Sequence, residues 1–162
     1  MRVGATYFRN FIFGVEDSLV STVGLLSGVA IAGVERETIL LTGIVLIFVE
    51  AFSMGAGSFL SEASAEEYST QKSMIHNHSI FAGSIMFASY FLAGFIPLFP
   101  YIITEGGAAL AFSISASVLT LFVLGLASGI LSRTSLLRGA LRMAIVGGVA
   151  IGIGVVVGSF LG

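Results

Sequence analysis

The sequence predicts an all-α integral membrane protein with five transmembrane helices, and three observations carry that prediction. Hydrophobic residues make up 56% of the 162 positions and charged residues only 10%, where a soluble domain carries about a quarter charged. Mean hydropathy is +1.06. The apolar residues also fall into five runs, each long enough as a helix to cross a hydrocarbon core of ~30 Å. They make one five-helix transmembrane domain over residues 1–162, with no room for a separate soluble domain.

The first span is expected over about 11–31, preceded by Arg9. Glu16 and Asp17 stand where a signal peptide needs an uncharged core, so the run reads as a retained helix. The polar break Glu35-Arg36-Glu37-Thr38 follows, with Thr38 the expected N-cap of a second span over 39–60. The stretch SEASAEEYSTQKSMIHNH, residues 61–78, is polar. The third span covers about 80–99 and closes on Pro97 and Pro100, the two prolines of the chain. The fourth covers about 108–131 and the fifth about 140–161.

Five spans put the termini on opposite sides, and the basic residues choose the orientation. With the N-terminus cytoplasmic and the C-terminus outside, Arg2, Arg9, Lys72, Arg133, Arg138 and Arg142 lie inside and only Arg36 outside. No basic patch suits nucleic acid. The absence of cysteine removes disulfides and thiolate chemistry. Glycines four apart suit close helix packing: Gly24/Gly28, Gly125/Gly129, Gly148/Gly152 and Gly154/Gly158. No internal repeat is evident, and an odd number of spans argues against an inverted duplication.

Three acids fall inside predicted spans: Glu16, Asp17 and Glu50. Each ionised carboxylate at mid-membrane costs about 2.5–3.5 kcal/mol on insertion scales. No Lys or Arg is deep enough to pair with them, so they must be protonated, hydrated or matched by a cation. Glu16 is the weakest of the three, because it also suits an interfacial position. Glu50 and Met54 are one helical turn apart and share a face with Ser53 and Gly57. Asp17, Ser21 and Gly24 form a matching stripe in the first span. Methionine alone is ordinary core filler, but carboxylates with a thioether favour a softer first-row cation such as Fe²⁺ over Mg²⁺. Glu62, Glu66 and Glu67 form either a solvated helix extension or an acidic mouth that concentrates divalent cations. His76 and His78, two apart, read as interfacial loop.

The runs FGVEDSLVSTVGLLSGV, EAFSMGAGSFLSEASAEEY, GFIPLFPY and LFVLGLASG resemble the vacuolar iron transporter family, with its Ca²⁺-sensitive cross-complementer relatives, over nearly the whole chain. The resemblance implies a five-helix homodimer that moves Fe²⁺, and often Mn²⁺, out of the cytosol in exchange for protons. It implies a pathway between subunits lined by an aspartate and a methionine that match Asp17 and Met54. Glu50 is not carried over and rests on the membrane argument alone. Iron-storing members carry a long glutamate-rich metal-binding insert between spans two and three. Only residues 61–78 separate those spans here, so the resemblance is to a short member without that insert.

The sequence therefore points to a transporter rather than an enzyme, in a prokaryotic plasma (inner) membrane. Fe²⁺, Mn²⁺, Co²⁺ or Zn²⁺ is the transported substrate, and no permanent cofactor, catalytic residue or nucleic-acid partner is expected. The alternatives are a non-transporting metal sensor or assembly module, and a transporter of organic cations. Met54 and the lack of tryptophan, the best cation-binding aromatic, weigh against the last.

Overall fold

Without water to satisfy backbone N–H and C=O groups, an apolar run in a bilayer folds as a helix. The computed structural model describes residues 3–71 and 77–162. It contains α1 (Val3–Ile31), α2 (Arg36–Thr70), α3 (Asn77–Ile103), α4 (Gly106–Ser132) and α5 (Leu136–Leu161). All five are long and apolar enough to cross a membrane. Arg2, Lys72 and His76 lie outside the described residues.

The helices are longer than their apolar cores. α2 begins at Arg36 with Glu35 as N-cap, three residues before the expected Thr38. Thr38 lies inside the first turn, and its carbonyl accepts the Thr42 hydroxyl at 2.7 Å. At its other end α2 runs on through the polar stretch to Thr70, where Gln71 takes a left-handed conformation and caps it. At ~1.5 Å per residue, 35 residues reach well beyond a ~30 Å core. Most of the acidic stretch is thus helix. His78 likewise lies in the first turn of α3, not in a loop.

Pro97 and Pro100 sit within α3, which continues to Ile103. A proline inside a helix removes one backbone hydrogen bond. Ser113 of α4 donates to the Pro97 carbonyl at 2.7 Å, tying α4 to the weakened stretch. Arg36 caps the far end of α3 by donating to the Tyr101 and Ile102 carbonyls and to Glu105.

Side-chain pairings fix the topology. α1 and α3 run parallel, matched at Tyr7 with His78, Asn10 with Ala82, and Ser18 with Tyr90. α1 and α2 run antiparallel through Arg9–Glu62 and Asn10–Ser58. α1 and α3 form a middle layer, with α2 on one side and α4 and α5 on the other. Gly24 faces Ala150, and Gly28 faces Gly154, whose backbone oxygen would lie 2.7 Å from a Cβ there. The α1–α5 seam is therefore parallel and made by glycines. This corrects the stripe expected opposite α2: Asp17 keeps its place near Glu50, but Ser21 bonds to Tyr90 of α3 and Gly24 faces α5. Gly125 and Gly129 serve the α4–α5 turn by meeting Ala140 and Leu136, while Gly148 and Gly152 meet nothing within 4 Å.

The apolar core is uneven along the bundle. Leu26, Ile39, Ile47, Leu98, Tyr101 and Ala109 pack together near the Arg36 end. Toward the Arg9 end, α1 and α2 are held by polar pairs, and a cavity opens between them.

Candidate functional site

The cavity holds about 950 Å³ and is lined by α1, α2 and Met86 of α3. At ~30 Å³ per water it has room for a fully hydrated cation. Glu16 and Met54 line it together with Arg9, Asn10, Ser58 and Glu62. Met54 is half-buried and Met86 nearly fully buried. The floor of the cavity therefore carries thioether sulfur from two helices.

Its walls hold their shape through hydrogen bonds that the local sequence permits. Asn10, 2% exposed, donates to the Ser58 hydroxyl at 2.8 Å and to the Ala82 carbonyl at 3.2 Å. One amide thus links α1, α2 and α3. Gly14 lets α3 approach, since a Cβ there would collide with the Ser89 hydroxyl and lie 3.2 Å from the Met86 sulfur.

Asp17 and Glu50 lie outside the cavity lining. The α1–α2 register puts Asp17 level with the turn between Glu50 and Met54. The two carboxylates lie within electrostatic range of each other, and Glu16 is within range of Asp17. All three are half-buried. Behind them is Tyr90 of α3, wholly buried. Its hydroxyl is 2.7 Å from the Ser21 hydroxyl and within range of both Asp17 and Glu50. Tyr90 thus backs the carboxylate pair with a polar group from the core.

The acidic stretch divides. Glu62 turns inward, only 8% exposed, and pairs with Arg9 at 2.6 Å. Its other oxygen lies 4.0 Å from His78, whose second ring nitrogen is 3.0 Å from the Tyr7 hydroxyl. Glu66 accepts the Ser79 hydroxyl at 2.8 Å, and Glu67 is exposed on the protruding part of α2. Of the three, only Glu62 reaches the cavity. Among the described residues, no three His, Asp or Glu side chains gather as a metal-holding group.

Sequence reading found the acids and Met54 but missed Asn10, Ser58, Tyr90 and Met86. Each is an ordinary residue in its own helix and acquires meaning only across a helix seam. A polar Asn10 just before the first apolar run was the one visible signal.

The VIT family model matches this chain in two stretches, residues 8–79 and 66–159. No curated protein sequence matches it. The two stretches reach all five helices and include Glu16, Asp17, Glu50, Met54, Glu62, Glu66 and Glu67, in agreement with the resemblance read from the motifs. The chain therefore belongs to the VIT family, whose members are transporters rather than enzymes, and membership points to metal-ion transport across a membrane.

Proposed function

We propose that the protein exports Fe²⁺, and Mn²⁺ with it, from the cytoplasm in exchange for protons, as a homodimer in a prokaryotic plasma membrane. One observation carries this reading: the α1–α2 cavity joins Glu16 and Met54 beside the Asp17–Glu50 pair. Carboxylate oxygen with thioether sulfur suits a soft first-row divalent ion and disfavours Mg²⁺.

The metal ion enters past Glu62 and sheds part of its hydration shell along Glu16. Asp17 and Met54 hold it, with Glu50 as a further ligand or proton acceptor. Protons arriving from outside convert the carboxylates to neutral acids, which are poor ligands, and the ion leaves. Arg9, Arg133, Arg138 and Arg142 lie toward one end of the bundle and Arg36 at the other, so the positive-inside bias turns the mouth of the cavity to the cytoplasm.

The homodimer is supported by what a single subunit lacks. Asp17, Glu50 and Met54 are only half-buried, and carboxylates turned toward lipid are costly. A two-fold related copy covers them and doubles the ligand set.

The test is Fe²⁺ and Mn²⁺ flux into proteoliposomes across a pH gradient. Flux that follows the gradient and is lost in Asp17→Ala and Met54→Ala supports the assignment. Unchanged flux in either variant contradicts it, and binding without flux in the wild type favours a sensor.

A further inference from the structure

The Arg9–Glu62 pair stands at the mouth of the cavity, and the proposed mechanism gives Arg9 nothing to do. Both residues line the cavity with Glu16 and Met54, so a cation in the cavity meets the pair. The pair is lopsided: the Glu62 side chain is 10% exposed and that of Arg9 60%. Glu62 is fixed on α2, whereas Arg9 reaches in from water on a flexible stem. They meet through one guanidinium nitrogen and one carboxylate oxygen, an end-on contact that lacks the rigidity of a two-pronged fork.

We propose that Arg9 is a tethered counter-ion that occupies Glu62 while the cavity is empty and is displaced by the entering divalent cation, which makes this pair the entry filter. The inference rests on the transport reading above. A buried carboxylate needs a compensating charge at all times, and Arg9 supplies it between transport cycles. A divalent ion attracts that carboxylate with twice the charge of a guanidinium at the same distance, and keeping part of its hydration shell at the mouth limits the dehydration cost that opposes the exchange. Na⁺ and K⁺, with a single charge, gain nothing over the cation already in place. Once displaced, Arg9 swings outward, and its charge at the mouth discourages a second cation from following.

A purely structural staple between α1 and α2 makes a different prediction, and Mn²⁺ concentration series in proteoliposomes separate the two. Arg9→Gln removes the guanidinium from Glu62 and leaves His78, 4.0 Å from its other oxygen, so KM for Mn²⁺ falls by roughly fivefold, the upper end for a partly exposed pair, and the maximal rate falls as release slows. Glu62→Gln leaves Arg9 unmatched at the mouth, and KM rises. Arg9→Lys, which keeps a cation, stays near the wild type. Shifts of opposite sign are the signature. KM values that move together, or not at all while both variants lose thermal stability, overturn the proposal and leave a staple.

Mn²⁺ binding measured by thermal stabilisation of the detergent-solubilised full chain gives an independent reading. Arg9→Gln gains more stabilisation from Mn²⁺ than the wild type, and an equal gain overturns the filter. Should the wild type carry no flux, the transport reading falls while this comparison still decides the role of Arg9.

Discussion

Glu50 and Met54 sit one turn apart on α2, yet they meet different neighbours. Met54 lines the cavity beside Glu16, and in the proposed mechanism its sulfur biases the site toward soft cations. Met54→Leu conserves volume and keeps the fold. It weakens Fe²⁺ binding about tenfold, equivalent to ~1.4 kcal/mol, while Mg²⁺ competition strengthens. Equilibrium competition in detergent measures both effects. Glu50 answers to Asp17 and Tyr90 instead. Glu50→Gln keeps the shape and removes a charge, so the protons exchanged per metal ion fall if Glu50 is a proton acceptor. Simultaneous pH-dye and metal-dye recordings in liposomes read that ratio. An unchanged ratio with weaker metal binding assigns Glu50 to the metal alone.

Among the elements, the α1–α5 seam is the most tightly constrained. A Cβ at Gly154 would collide with the Gly24 carbonyl oxygen, and one at Gly158 with that of Gly28. Gly154→Val therefore forces the helices apart and costs about 1–3 kcal/mol. Gly152, with nothing within 4 Å, accepts alanine with no loss of subunit stability. The fraction surviving heating, read by size-exclusion chromatography, distinguishes these two outcomes.

The five spans were legible in the sequence because hydropathy reports the solvent directly. Helix ends were less so. The polar extension of α2 and the position of His78 in α3 depend on backbone continuity past the membrane edge, where composition no longer discriminates. The glycine pairs announced close packing but not their partners. Gly24 was assigned to the wrong neighbour because spacing fixes a face and leaves the helix opposite it open. The candidate acids stood out from the cost of burying them. Tyr90 and Asn10 did not, since a hydroxyl or amide costs little until its partners on another helix are known.

At the scale of the whole molecule, the larger cavity lies toward the Arg9 end, about 950 Å³, while a smaller one of about 380 Å³ lies beside the apolar cluster at the Arg36 end. That asymmetry suits a transporter resting with its site open to one side. A cysteine-free chain makes both orientation and assembly easy to read. Thr134→Cys, in the α4–α5 turn, is expected to react with an impermeant thiol reagent only from the cytoplasmic side, and Val34→Cys only from outside. Reversed labelling overturns the orientation. Ser53→Cys, exposed beside Met54, is expected to form disulfide-linked dimers in membranes, whereas Ser115→Cys, exposed on α4, is not.

In the proposed mechanism a metal ion sits where α1 meets α2, midway along the bundle. The most direct measurement is an anomalous-scattering map from crystals soaked in Mn²⁺ or Fe²⁺. A peak between Asp17 and Met54, within ligand distance of Glu50, is the expected result. A peak only at Glu62, Glu66 and Glu67, with none between Asp17 and Met54, would contradict it.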